Sequence, residues 1–376
     1  MFERPTGGNR ALIVALDFGD GDRNARTGEI AALATSAGAT VVGMMTGRRQ
    51  RPDPALFAGK GKVDEIVAQR TGSEADLVIF DHTLSGVQQR NLEEKLGCRV
   101  VDRPSLILDI FALRARSAEG KLQVELAQLK HMATRLVGGW THLERQKGGI
   151  GMRGPGETQL ETDRRLIGER VKLVNERLKR VARSHAVQSR TRRRQRVRTV
   201  ALVGYTNAGK STLFNRMTGA KAYAADQLFA TLDTTLRKIY VPGADPIVIS
   251  DTVGFVRELP HDLVAAFRAT LSEAAEADLL LHVIDASAAN RDEQIAAVDS
   301  VLAEIGAAAV PQIRVLNKCD LVDLPPGVER DGCGNISTVR LSAMTGAGSE
   351  CLRAALAERF PSTPASELLP ATTSEF

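Results

Sequence analysis

Aromatic side chains are scarce in this 376-residue chain, at 4% of residues with a single tryptophan, Trp140. That scarcity makes base stacking on aromatic rings an unexpected mode of any nucleic-acid recognition. Cysteine is also sparse. Cys98, Cys319, Cys333 and Cys351 lie far apart, with no C-x-x-C pair and no matching histidine spacing, which disfavours a zinc site or a disulfide framework and suits reduced thiols. No uninterrupted apolar run of about 18 residues occurs, and the start MFERPTGGNR lacks an apolar segment of the signal-peptide kind. Membrane spanning and secretion are therefore disfavoured, no transmembrane segment is expected, and the expected setting is cytoplasmic.

What remains is the composition of a soluble globular protein, 43% hydrophobic and 25% charged. Its length suits roughly two or three domains. The net charge of +5 is modest. Its distribution is more telling, because basic residues crowd the middle of the chain and point to a polyanionic partner.

Residues 11 to about 104 alternate short apolar runs (ALIVALDF, TVVGMM, DLVIFD, CRVVD) with helix-like stretches, the mark of βαβ units and a mainly parallel sheet. A small α/β domain is expected over residues 1–105. The GKGK at Gly59 to Lys62 reads as a solvated loop, with a phosphate-contacting turn as the alternative. From about Leu106 the pattern turns helical. Leu122, Leu126, Leu129, Ala133 and Leu136 form one stripe, and Leu160, Ile167, Val171, Val174, Leu178 and Val181 form another. An antiparallel hairpin over residues 106–196 would let each stripe bury the other.

The loop between the two stripes, GGIGMRGPGETQLETDRR, packs Gly148, Gly149, Gly151, Gly154 and Gly156 into nine residues. About two to five residues suffice to join antiparallel helices, so this loop exceeds what closure needs. Backbone unshielded by Cβ can approach phosphates or sugar edges, and Lys147 and Arg153 add charge. Lys147, Gly149, Gly151, Arg153 and Gly154 are therefore candidate RNA contacts. So are Arg192, Arg193 and Arg194, within a run of six arginines between Arg190 and Arg198. Such a run predicts polyanion binding that weakens steeply with salt.

TVALVGYTNAGKSTLFNRM then places an apolar strand, a G-x-x-x-x-G-K-[ST] turn and a helical run in the order a phosphate loop requires. Gly204, Tyr205, Thr206, Asn207, Ala208 and Gly209 would curl their amides around the β-phosphate. Lys210 would neutralise the β and γ oxygens, Ser211 would offer its hydroxyl to Mg²⁺, and Thr212 follows on the helix. In LFATLDTT, behind Phe229 and Ala230, Thr231 is the best candidate for a switch threonine that closes on Mg²⁺ when a third phosphate is present. Asp251-Thr252-Val253-Gly254 follows the strand PIVISD, with Asp251 in the Mg²⁺ shell and the Gly254 amide within reach of the γ-phosphate. Asn317, Lys318 and Asp320 form N-K-x-D, where the Asp320 carboxylate can accept both the N1 and the N2 proton of guanine, a pair adenine lacks. Ser342, Ala343 and Met344 complete the base side. Together these elements predict a P-loop GTPase domain over residues 197–361. GTP, GDP and Mg²⁺ are the expected ligands, Lys210, Thr231 and Gly254 the catalytic group, and residues 362–376 a short tail.

The chain resembles the HflX family of translation-associated GTPases. The likeness rests on RPDPALFAGKGKV, LILDIFALRARSAEGKLQVELAQL, WTHLERQ, RGPGETQLETDRR, GYTNAGKST, LFATLD and DTVGF, and it covers nearly all of residues 10 to 360. It implies that the N-terminal domain and hairpin dock on the large ribosomal subunit and its RNA, with the glycine loop near the peptidyl-transferase region. It also implies GTP-dependent splitting or rescue of ribosomes, by a protein expected to be monomeric. Two departures stand out: Thr234 occupies a position where the family usually has proline, and about fifteen residues follow the expected last helix where longer relatives carry a C-terminal domain. Phe255 stands where Ras-like proteins carry a water-orienting glutamine, which predicts slow intrinsic hydrolysis. Two other functions fit the same motifs: a nucleotide-gated assembly or regulatory scaffold in which turnover is incidental, and an ATP-driven RNA remodeller. Lys210→Ala should abolish subunit separation by a splitting GTPase while a pure scaffold would retain partner binding, and competition of GTP binding by ATP would reveal the remodeller.

Overall fold

The computed structural model describes residues 9–19, 23–139, 155–194, 197–219, 228–229, 231–257 and 273–362. The chain divides into two compact units. One comprises the described residues through Val181 together with Leu228 and Phe229, and the other comprises the rest.

The first unit opens with β1 (Arg10–Asp17), α1 (Arg23–Ser36), β2 (Thr40–Arg48), α2 (Lys60–Ser73), β3 (Leu77–Phe80), α3 (Gly86–Leu96) and β4 (Arg99–Asp102). Its four strands lie in the order β2-β1-β3-β4, all parallel, as the βαβ pattern predicts. β1 is apolar along almost its whole length because helices cover both faces of a parallel strand. Leu12, Val14, Val63, Ile66, Phe80 and Leu92 fill the core. The GKGK stretch is not a loop as expected. Gly59 caps α2 and Lys60 to Lys62 form its first turn, where Lys62 pairs with Glu65 at 2.7 Å. A single helical turn carries too little periodic signal to be read from sequence.

α4 (Arg103–Arg114), α5 (Ala118–Gly139) and α6 (Pro155–Arg194) follow. Asp102 caps α4, accepting from the amide of Ser105 at 3.1 Å. The two helical stripes appear at the expected spacing, but they do not simply bury one another. α5 lies against α3 and α4, so its Val124, Leu126 and Ala127 enter the N-terminal unit's interior. Val174 is the one fully buried apolar residue among the described side chains of α6, which meets α5 through an Arg170–Glu125 ion pair of 2.5 Å. Sequence periodicity shows that a face is apolar, not which neighbour covers it. The glycine loop, and with it Lys147, Gly149, Gly151, Arg153 and Gly154, lies outside the described residues. Arg192, Arg193 and Arg194 occupy the last turn of α6.

The second unit comprises β5 (Arg198–Val203), α7 (Lys210–Thr218), β6 (Thr235–Ile239), β7 (Ile247–Asp251), β8 (Leu279–Asp285), α8 (Arg291–Glu304), β9 (Gln312–Asn317), β10 (Gly327–Arg330), β11 (Ile336–Arg340) and α9 (Ser349–Arg359). The seven strands run β10-β11-β9-β8-β5-β7-β6. The edge strands β6 and β10 are antiparallel to their neighbours, and the other pairings are parallel. β5 is flanked by β7 and β8, so the sheet's connectivity reverses beside it, and ligands of such sheets bind outside the strand ends at that point. Val200, Leu202, Leu281 and Val315 pack against Leu213 and Phe214 of α7 and Leu352 and Leu356 of α9, each contributing roughly 1.5–3 kcal/mol of burial.

Candidate nucleotide site

Six residues, 204–209, join the end of β5 to the first turn of α7. A helix N-terminus presents unpaired amides and the positive end of the peptide dipole, which together favour phosphate. Gly204 has φ +151, and a Cβ there would lie 2.2 Å from the Val283 carbonyl oxygen, so the loop can approach β8 this closely only with glycine. Tyr205, Thr206 and Ala208 are buried, whereas Asn207 is exposed with a left-handed backbone at φ +60, a conformation asparagine tolerates better than most residues. Lys210 is buried, and its Nζ donates to the carbonyls of Gly204 and Tyr205 at 3.0 and 2.7 Å. Burial pushes its ammonium down to about 8, while Asp251 pulls the other way. A cation desolvated in this manner gains strongly from an anionic ligand.

Beside it, three oxygens form a triangle. Ser211 Oγ and Thr231 Oγ1 donate to Asp251 Oδ2 at 2.7 and 2.8 Å, and the two hydroxyls are themselves 2.7 Å apart. With Asp251 ionised, two protons serve three short edges. The cis oxygens of an octahedral Mg²⁺ shell, with bonds of about 2.1 Å, stand about 3 Å apart, so this triangle is close to one face of such a shell. Asp251 Oδ1 is buried and has no hydrogen-bond partner. Burial pushes the Asp251 carboxyl upward against the hydrogen bonds from Ser211 and Thr231 and the charge of Lys210, as expected of a carboxylate that needs more positive charge than the protein provides. The donor set fits Mg²⁺.

The Asp251–Gly254 turn is fixed against the phosphate loop. Thr252 Oγ1 donates to the Leu202 carbonyl at 2.6 Å, Thr206 N to Phe255 O at 2.7 Å, and Phe255 N to Gly204 O at 3.2 Å. Val253 is buried. At Gly254 a Cβ would meet Thr206 Cγ2 at 2.8 Å and Lys210 Nζ at 3.0 Å, so the turn touches the cradle where a terminal phosphate would approach. Phe255 is 1% exposed. Its ring is part of the interior and cannot orient water. The Arg257 guanidinium pairs with Glu293 of α8, and its amide donates to Tyr205 Oη at 2.8 Å.

On the base side, one amide ties two loops together. Asn317 Nδ2 donates to the Ala208 carbonyl at 2.8 Å, and Asn317 Oδ1 accepts from the Ala343 amide at 2.9 Å. The Ala343 amide, a candidate donor to guanine O6, is thus already engaged. Lys318 has a left-handed backbone (φ +62) and donates to Asp285 Oδ2 at 2.7 Å. Asp320 is exposed on the turn after β9, where its carboxylate is open to a base. Ser342 is buried and accepts from the Thr345 amide at 3.2 Å, while Met344 is exposed. Arg216 of α7 donates to the Ala343 and Met344 carbonyls, a support the motif alone did not reveal.

The structure therefore gathers Gly204 to Ser211, Thr231, Asp251 to Gly254 and Asn317, with Lys318, Asp320 and Ser342 to Met344 on the base side. Thr212 follows on α7. The Phe229 ring packs against Phe111 within the first unit. Ala230 lies outside the described residues.

Three family models match in succession: GTP-binding GTPase N-terminal over residues 24–112, GTP-binding GTPase middle region over 114–193, and 50S ribosome-binding GTPase over 199–318. The GTPase HflX of Escherichia coli (strain K12) is 54% identical across 96% of this chain and 84% of its own length. That of Caldanaerobacter subterraneus subsp. tengcongensis is 50% identical across 86% of this chain and 75% of its own. A crystal structure of SsGBP in complex with GDP shares the fold, with a TM-score of 0.52 at 24% identity over 93% of this chain and 98% of that one. A guanine-nucleotide cradle behind these two N-terminal regions, with identity near one half along almost the whole chain, places the protein in the HflX family of GTPases, and GTP hydrolysis is its activity.

Proposed function

We propose that Mg²⁺-dependent GTP hydrolysis by this chain controls the grip of its basic helical arm on the large ribosomal subunit and that subunit's RNA, in the splitting, rescue or recycling of ribosomes. The oxygen triangle of Ser211, Thr231 and Asp251 is the observation that carries the switch. Mg²⁺ bound there would neutralise charge on the β and γ oxygens of the nucleotide. The protein's own part is positional. Lys210 exchanges its two carbonyl partners for phosphate oxygens, the residue 204–209 amides face the β-phosphate, and Gly254 closes on the third phosphate. Thr231 stays on the triangle while that phosphate is present, and its release after hydrolysis is an order-to-disorder switch. The buried Phe255 ring supports slow intrinsic turnover, raised when the ribosome orders the switch or supplies a polar group.

Ribosome association draws its support from the 50S ribosome-binding GTPase match and from the arginines at the end of α6. A nucleotide can bias docking only if its two states bind ribosomes unequally. Co-sedimentation with ribosomes on sucrose gradients under GDP, GTP and a non-hydrolysable analogue tests this directly. The analogue should hold the protein on large subunits and GDP should release it, with binding that weakens steeply as salt rises. Identical sedimentation in every nucleotide, or equal GTP turnover with and without large subunits, would overturn the proposal.

A further inference from the structure

Three hydrogen bonds fasten residues 255–257 to the phosphate loop. Phe255 N donates to Gly204 O at 3.2 Å, Thr206 N to Phe255 O at 2.7 Å, and Arg257 N to Tyr205 Oη at 2.8 Å. The first two make a short parallel bridge between Tyr205 and Phe255. The third extends that bridge with a side chain, because the phenol of Tyr205 reaches along the segment to the next amide. Tyr205 is 6% exposed, so its ring is held by the interior while its hydroxyl meets the backbone. The Arg257 guanidinium pairs with Glu293 in the first turn of α8, and this residue is thus held by backbone and side chain alike. Every group named here belongs to the second unit.

Gly254 lies between two anchors. On one side Thr252 Oγ1 is bonded to the Leu202 carbonyl, and on the other stand the bonds of residues 255–257. We infer that the Tyr205 hydroxyl is a positioning group for GTP hydrolysis: by holding the Arg257 amide it keeps residues 255–257 on the phosphate loop, and with them the Gly254 amide. This rests on the role of Gly254 toward the third phosphate proposed above. Tyr205 then has two separable parts. Its backbone amide lies in the loop that faces the β-phosphate, and any residue there would supply it. Its hydroxyl bonds the segment that follows Gly254. The effect of the hydroxyl falls on the triphosphate state and spares GDP, which has no phosphate for Gly254 to meet.

The test uses the full chain with Tyr205→Phe and Gly254→Ala. Each is titrated with a fluorescent GDP and a fluorescent non-hydrolysable GTP analogue, and kcat and KM for GTP are measured. Phenylalanine removes one oxygen and keeps both the buried ring and the backbone amide. Analogue affinity and kcat should therefore fall about three- to tenfold, the worth of one hydrogen bond, with GDP affinity within about twofold. Amide hydrogen exchange at residues 255–257 should also be faster in analogue-bound Tyr205→Phe than in the analogue-bound wild-type chain. Coupling is reciprocal, so in the wild-type chain that exchange should be slower with the analogue than with GDP. This last comparison decides the matter if the variant does not fold, and equal exchange in the two nucleotides would overturn the assignment. So would a Tyr205→Phe variant that loses GDP and analogue equally, since the hydroxyl would then support the whole loop. If Gly254→Ala lowers the analogue-to-GDP affinity ratio while Tyr205→Phe leaves it unchanged, the assignment of Tyr205 is overturned and the role of Gly254 stands. If Gly254→Ala also leaves the ratio unchanged, both fail.

Discussion

Replacing Gly254 with alanine puts a methyl carbon 2.8 Å from Cγ2 of Thr206 and 3.0 Å from both Cα of Thr206 and Nζ of Lys210. Carbon contacts are comfortable from about 3.5 Å, so roughly half an ångström must be recovered. Thr206 is buried and its amide is bonded to the Phe255 carbonyl, which leaves little freedom on the cradle side. The Asp251–Gly254 turn must withdraw, at the cost of about 1–3 kcal/mol typical of overpacking. In a unit of this size that lowers the melting midpoint by roughly 2–10 °C. Under the proposal that Lys210 and the turn receive the third phosphate, the analogue of GTP should lose about five- to one-hundred-fold in affinity, and GDP about twofold or less. Calorimetric melting and nucleotide titration of one protein preparation give both numbers. Unchanged melting with unchanged analogue affinity would refute the steric argument. Gly204→Ala should be worse, since its Cβ would strike a backbone oxygen at 2.2 Å from a positive φ, and the expected outcome is loss of nucleotide binding together with folding of the second unit.

Lys210, held down to about 8 in the free site, regains its proton beside phosphate, so GDP binding takes up a proton as pH rises past that value. GDP affinity should weaken about sixfold between pH 7 and 8.8, below the pH at which guanine itself loses its N1 proton, and a flat profile by titration calorimetry would refute this. His282 is pushed down from 6.5 to about 4, first by burial and then by Arg314 and Lys210, and Asp299 at 3.9 Å is too distant and too exposed to retain its proton. Its neutral form favours the folded state above pH 6.5, and that stability is lost as pH falls from 6.5 toward 4, about 3 kcal/mol in all. Urea unfolding at a series of pH values should show the loss in the wild-type chain and a flatter profile in His282→Asn. In the first unit, the buried Arg103 joins Asp81 at 2.6 Å and also pairs with Glu29. Arg103→Met would take the nearer of two cations from the buried Asp81, leaving Arg26 at 3.4 Å, and should cost about 3 kcal/mol of that unit's stability in thermal melts, whereas a change under about 1 kcal/mol would contradict the burial argument.

The phosphate loop, the Asp251 turn and N-K-x-D were legible because each depends on backbone geometry and chemistry set by adjacent residues. The parallel sheet around β1 was legible for the same reason, since a strand covered on both faces reads as one apolar run. Features joined through space were not. Asn317 serves Ala208 and Ala343, 109 and 26 residues away, and nothing near N-K-x-D announces either bond. The Asp81–Arg103 pair spans 22 residues, and each member alone reads as a solvated charge. The edge-on packing of Phe229 on Phe111 spans more than a hundred residues, and nothing in LFATLD announces it. The apolar stripe of α5 was visible, but its covering by α3 and α4 was not.

Asn317 has a consequence for how this protein can change. A single carboxamide braces the loop 204–209 and the turn at Ala343, the two segments proposed to face the phosphates and the base. Substitution of Asn317 should therefore weaken both grips together, whereas the exposed Asp320, which takes no part in these bonds, can change base preference on its own.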